Sequence, residues 1–165
     1  AFLQPGGWGR TFASAMDGYA NMAGMWLIGE DMPRETNRIT LDPKAKDANG
    51  MPVASVHFDD HENDLAMRAH AYQQGAAVYE AVGATRVMPT PPYPSTHNMG
   101  TNRMSANARD GVVNKFGQTH DIKNLFVSDG SQFTSGAACN PTLTIVSLAI
   151  RQADTIAGMM QRKEV

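Results

Sequence analysis

Apolar residues recur at helical spacing from about Asn63 to Val82, at Leu65, Ala69, Tyr72, Ala76, Val78, Tyr79 and Val82, and Gly83 follows where a helix is expected to stop. A second run of this kind falls at Leu143, Val146, Leu148, Ile150, Ala153 and Ile156. Its opening is well marked, because Asn140 is a good cap residue and Pro141 suits the first helical position, where no backbone N–H is needed. Residues 10–27, rich in Ala, Met and aromatic side chains, predict a further helix, which Gly18 and Gly24 weaken. The strand patterns are shorter. Asn37 to Pro43 reads as a strand stopped by its proline, Asp47-Ala48-Asn49-Gly50 as a turn, and Pro52 to Phe58 as an alternating second strand, so the three together predict a hairpin. Val112-Val113 begins a short strand that ends in a turn at Gly117, and Leu125-Phe126-Val127 predicts a buried one. Between the halves, four prolines from Pro89 to Pro94 forbid both helix and sheet interior and predict a rigid extended linker. The sum is a mixed α+β chain without internal repeats.

Composition narrows the function classes more than the fold. At 165 residues the chain is long enough for one domain with a core. Its net charge of -2 and pI near 6.2 leave no basic footprint for nucleic acid, and acidic and basic residues are interspersed. The single cysteine, Cys139, excludes an internal disulfide and any all-cysteine zinc or iron–sulfur site within these residues. The apolar run from Leu143 to Ile150 is too short to span a bilayer and is followed by Arg151, Gln152 and Asp154. The opening, Ala1-Phe2-Leu3-Gln4-Pro5-Gly6-Gly7-Trp8, has neither an initiator methionine nor the charged and apolar regions of a signal peptide, which suggests a piece of a longer chain.

Two runs stand out for their chemistry. The first is Ser95-Thr96-His97-Asn98-Met99-Gly100-Thr101-Asn102-Arg103-Met104, and the second is Gly136-Ala137-Ala138-Cys139-Asn140-Pro141-Thr142. A histidine can take a proton near neutral pH, and an asparagine offers a donor and an acceptor without changing charge. Oxidising an alcohol needs a base for the hydroxyl proton, an acceptor for the hydride and a group that fixes the hydroxyl between them. His97 is the candidate for the first and Asn140 for the third.

The order of His97-Asn98-Met99-Gly100-Thr101, then Val127-Ser128-Asp129-Gly130-Ser131, then Asn140-Pro141-Thr142, resembles the C-terminal part of the glucose-methanol-choline (GMC) oxidoreductases. These are flavoenzymes that oxidise alcohols. The resemblance implies that His97, in the family's H-x-x-G-T position, is the base and that Asn140, at the head of the last helix, is its partner. It implies FAD as cofactor and hydride acceptor, with Asp129, Gly130, Asn140, Pro141 and Thr142 beside it. The helix opening at Pro141 would present backbone N–H groups and a positive dipole end to a reduced flavin, an effect of roughly 0.3–2 kcal/mol. Residues 1–116 would then belong mainly to the substrate-binding domain, with the catalytic histidine loop, and 117–165 would return to the FAD-binding domain as its last strand and helix. No G-x-G-x-x-G follows a strand here, so the resemblance requires an N-terminal FAD-binding portion elsewhere. Ser105 replaces the family's second glycine after Arg-Met, a small departure.

Within the family, the His97/Asn140 combination is similar to bacterial sugar dehydrogenases and pyranose oxidases. That implies a sugar, glycoside or polyol substrate, with either oxygen or a cytochrome partner to reoxidise the flavin. Where the cytochrome serves, a periplasmic or membrane-associated complex exported through a partner subunit is implied. Two other readings stay open on the residues alone. One is a noncatalytic binding domain with a GMC-like surface, and the other is a metal-dependent hydrolase built on His57, Asp59 and His61. Against the latter, the same acidic segment suits a solvated turn before a helix, where carboxylates favour the positive end. Cys139 and the many methionines, Met99 and Met104 among them, read first as packing residues, with Met99 and Met104 also placed to line a substrate pocket.

Overall fold

The computed structural model describes residues 8–92 and 96–165, so the Gly6-Gly7 loop, the opening residues and the Tyr93-Pro94 end of the proline linker lie outside the described residues. Three helices, α1 (Arg10–Asp17), α2 (Glu62–Ala81) and α3 (Thr142–Gln161), accompany an antiparallel pair, β1 (Arg38–Lys46) and β2 (Pro52–His57). This is the mixed helix and small-sheet architecture that the hydrophobic pattern predicts. The chain forms two compact units, residues 8–29 with 65–92 and residues 30–64 with 96–165. Among the described residues no helix is long and apolar enough to cross a membrane.

In the first unit the helix expected over 10–27 stops at Asp17, and a short 3₁₀ turn at Tyr19–Asn21 gives way to extended chain at Met22. Gly18 is the cause the sequence offers, since glycine costs a helix interior about 1 kcal/mol relative to alanine. α2 forms over the expected span and ends as expected, with Gly83 in the left-handed region at φ 87°, but Leu65, Val78 and Val82 of the apolar pattern are exposed. Gly75 lets Leu27 lie against the helix, for a Cβ there would stand 3.2 Å from Leu27 Cδ1.

In the second unit the hairpin forms, but Pro43 does not stop its first strand. β1 continues to Lys46 across a register break between Leu41 and Lys46, where Asp42 Oδ1 accepts the amides of Lys44 (2.8 Å) and Ala45 (2.7 Å). A bulge on an edge strand tolerates the missing proline N–H. The strand expected at Leu125 to Val127 shrinks to an isolated bridge between Gln118 and Phe126. Its backbone groups bond elsewhere. Leu125 O accepts from Thr119 N at 2.9 Å, Val127 N donates to Gly117 O at 2.8 Å, and Val127 O accepts from Gln152. The short strand expected at Val112-Val113 is likewise reduced to bridges from Val113 to Met104 and Thr119.

Gln152 ties α3 to this loop region. It is 5% exposed, and its Nε2 donates to Phe116 O at 3.0 Å and Val127 O at 2.8 Å. Gly117, at φ 73°, passes so close beneath that an added Cβ would collide with Gln152 Nε2 and come within 2.6 Å of Val127 O. Gln152→Ala in the full-length protein should therefore cost roughly 1–3 kcal/mol, because two carbonyls lose their donor. Thermal unfolding would check this, and an unchanged midpoint would count against the role.

Candidate functional site

Asp129 starts the local geometry. Its Oδ1 accepts the Ser131 amide at 2.8 Å and so opens a 3₁₀ turn over Gly130–Gln132. Short polar side chains do this readily, because they can bond the backbone two residues on. The chain that follows His97 runs beside this turn. Asn102 N donates to Ser131 O at 2.9 Å, Asn102 Nδ2 to Ser131 Oγ at 3.1 Å, and Met104 N to Gln132 O at 2.8 Å.

Gly130 lies where two distant segments converge. A Cβ on it would stand 3.4 Å from Met99 Cγ, 3.4 Å from Ile145 Cδ1 on α3, and 3.7 Å from Asn98 O. These are van der Waals distances, so the segments pack directly against the Gly130 backbone. Gly136 is approached more closely, since its Cβ would come 2.8 Å from Met99 Cε. Thus Asn98 and Met99, directly after His97, pack against both the Asp129-Gly130 turn and the loop that leads to Asn140.

The head of α3 departs from expectation by one residue. Pro141 is the cap, its carbonyl accepting from Ile145 N at 2.9 Å, and no side chain caps the helix. Asn140 therefore lies just outside α3 and is exposed, and its amide is not taken up by capping. The amides of Thr142, Leu143 and Thr144 precede the first intrahelical bond and have no acceptor within the helix. His97, Asp129 and Thr142 are exposed, while Pro141 and Gly130 are half-buried.

The loop between Gly136 and Asn140 is unusual in its backbone. Ala137 and Ala138 take φ of 53° and 45°, the left-handed region that alanine enters at a cost of about 1–2 kcal/mol per residue. A distant carboxylate meets this loop, for Glu30 Oε1 accepts from Ala137 N at 2.9 Å. That bond, with the Ser135 side chain and the Gly136 amide, holds the Glu30 carboxyl below its ordinary range. Nothing in the sequence around Glu30 announces the pairing, which spans 107 positions.

The other expected groups behave differently. His57 Nε2 lies 3.1 Å from Asp59 Oδ2 on an exposed surface, and His61 Nδ1 accepts from Asn63 N at 3.0 Å. Asp64, 1% exposed, accepts the amides of Met32 and His61, both at 2.9 Å. This segment thus opens α2, with Glu62 and Asp64 in its first turn, and among the described residues no three His, Cys, Asp or Glu gather as a metal site. Met99 packs on glycines, whereas Met104 lines an open hollow of about 270 Å³ with Lys115, Gln132, Phe133, Thr134, Leu148 and Arg151. Neither His97 nor Asn140 borders that hollow.

Comparison with known proteins matches residues 33–149 to the GMC oxidoreductase family model. The chain is 43% identical over 154 residues to 2-methyl-1,2-propanediol dehydrogenase of Mycolicibacterium austroafricanum, covering 91% of this chain and 28% of that protein. It is 34% identical over 154 residues to the fructose dehydrogenase large subunit of Gluconobacter japonicus (93% and 27%). It is also 33% identical over 142 residues to C-glycoside 3-oxidase of Arthrobacter globiformis (83% and 27%). The chain thus spans little more than a quarter of the length of these relatives.

Proposed function

Because this chain belongs to the GMC oxidoreductase family, we propose that it is the C-terminal part of an FAD-dependent enzyme that oxidises a CH–OH group of a polyol, sugar or glycoside. The observation that carries the reading is the convergence at Gly130 of the segment after His97, the Asp129 turn and the first turn of α3. The names of the relatives, which specify a diol, fructose and a C-glycoside, support the substrate class.

In this reading residues 1–116 serve mainly the substrate side and 117–165 the FAD side, and an N-terminal portion supplies the dinucleotide-binding unit. The donors at the head of α3 fit the cofactor. Uncapped amides at Thr142, Leu143 and Thr144, at the positive end of a 20-residue helix, suit an electron-rich ring edge. Gly130 leaves the approach beside them clear of a side chain. FAD, when bound, supplies the acceptor for the hydride that leaves the substrate carbon. His97 removes the hydroxyl proton as the carbon is oxidised, so the C–H electron pair and the O–H proton depart to different groups. Asn140 donates to the substrate oxygen, and its freedom from capping leaves that donor available. Either oxygen or a cytochrome partner then takes the electrons onward.

The test uses the full-length protein, mixed without oxygen with 2-methyl-1,2-propanediol, fructose and a C-glycoside. A yellow protein whose flavin absorbance bleaches with at least one of these is the expected outcome. A colourless preparation that cannot be loaded with FAD would overturn the reading. Asn140→Asp should slow flavin reduction by about 10²-fold, because a donor is replaced by an acceptor beside developing negative charge. The added charge should also lower the flavin potential. An unchanged rate with an unchanged potential would remove Asn140 from the mechanism.

A further inference from the structure

The turn before Asn140 does not hold itself in place. Two successive alanines in the left-handed region, Ala137 and Ala138, persist only where the surroundings over-determine the backbone. Two neighbours do so. On one side Met99, two residues after His97, fills the space that a side chain on Gly136 would need. On the other, the Glu30 carboxylate accepts the Ala137 amide at 2.9 Å, and the nearby Ser135 side chain and Gly136 amide help to hold its carboxyl below the ordinary range. Successive backbone N–H groups in such a turn form a concavity that suits an anion, and a carboxylate acceptor makes the bonds charge-assisted. Glu30 is anchored in turn, because Met32 N, two residues on, donates to the buried Asp64 at 2.9 Å.

Resting on the proposed roles of His97 and Asn140, we infer that Glu30 is a positioning residue that sets where Asn140 stands relative to the His97 loop, by clamping the Ser135–Ala137 turn. Glu30 acts through the backbone three residues ahead of Asn140, and the turn has the His97 loop as its opposite wall. Loosening the clamp therefore shifts a hydrogen-bond donor against a base. Misplacement by about 1 Å of a group that orients substrate costs on the order of 10²-fold in rate.

The experiment measures anaerobic flavin reduction by substrate in the full-length protein for Glu30→Ala, Glu30→Gln, Asn140→Ala and the two double variants. Glu30→Ala should lower the limiting rate about 10- to 100-fold with little change in the substrate concentration for half-maximal rate. Glu30→Gln keeps one acceptor oxygen of the same reach but loses the charge, so it should recover much of the rate while remaining slower than the parent. Neither change should slow the protein further once Asn140 is alanine, since residues that act through one another are not additive. Hydrogen exchange of residues 135–140 should speed up in both Glu30 variants with FAD still bound.

If Asn140→Ala is slow while both Glu30 variants keep the parent rate, the clamp is overturned and the reading of Asn140 stands. If the Glu30 penalty persists in full in the Asn140→Ala background, Glu30 acts elsewhere and the inference fails. If Asn140→Ala itself keeps the parent rate, the reading of Asn140 fails and the inference with it. Should Glu30→Ala not fold, Glu30→Gln decides, because a parent-like rate together with parent-like exchange in residues 135–140 overturns the clamp.

Discussion

Replacing His97 by alanine in the full-length protein should slow flavin reduction by the substrate about 10²–10⁴-fold while FAD stays bound, the range that a positioned general base contributes. The large effect follows from the lack of an obvious substitute. Among the described residues the other histidines are committed elsewhere or lie in other segments: His57 faces Asp59, His61 accepts from Asn63, and His120 Nε2 lies 3.2 Å from Ser105 Oγ. Ser105 Oγ donates its own proton to Asn107 O at 2.6 Å, so that pair is spent on holding a loop. The backbone bonds of Asn102 and Met104 and the packing of Met99 hold the chain after His97 and do not involve the imidazole. Stopped-flow reduction at several pH values checks the prediction. A near-parental rate with the parental pH dependence would remove His97 from the chemistry.

Residues 1–165 expressed alone should neither bind FAD tightly nor oxidise an alcohol, and should associate rather than remain a compact monomer. Among the described residues the buried apolar side chains are Ala15 and Val113, far short of a core that could offset the entropy of ordering the chain. Meanwhile α3 exposes Leu143 (80%), Ile150 (62%) and Val146 (49%), and the hairpin exposes Val56 (72%) and Leu41 (67%). Exposed apolar area is costly in water at about 25 cal/mol per Å², so side chains like these favour cover by further protein. The pyrophosphate of FAD also needs a glycine-rich strand-turn-helix, which these residues do not contain. Titration with FAD, followed by flavin fluorescence and light scattering, checks both halves. Micromolar or tighter binding by a compact monomer would show that these faces need no further chain.

Much of the architecture follows from local pattern. The helix over Glu62–Ala81 and its glycine stop, the turn at Gly50 and the pairing of Pro52–His57 with the strand before it all depend on residues close in sequence, where periodicity and turn chemistry act directly. The errors have a common origin too. Pro43 could remain within β1 because a bulge supplied by Asp42 removes the need for its N–H, and Leu125 to Val127 could not become a strand because its backbone is engaged by Gly117, Thr119 and Gln152. Each outcome depends on partners that a window of a few residues does not contain.

The same division runs through the candidate site. Sequence by itself determined the chemical types and their order: a histidine before Gly100-Thr101, a carboxylate-glycine turn at Asp129-Gly130, and an asparagine-proline pair ahead of an apolar helical run from Leu143 to Ile156. Residue identity fixes which group can take a proton or donate a hydrogen bond. Only the tertiary structure decided that Asn140 lies outside the helix it was expected to cap, and that Met99 packs beside both Gly130 and Gly136. It alone decided that Glu30 meets Ala137 across 107 positions. Contacts of that length are set by how segments pack, and packing is a property of the whole chain that no local pattern encodes.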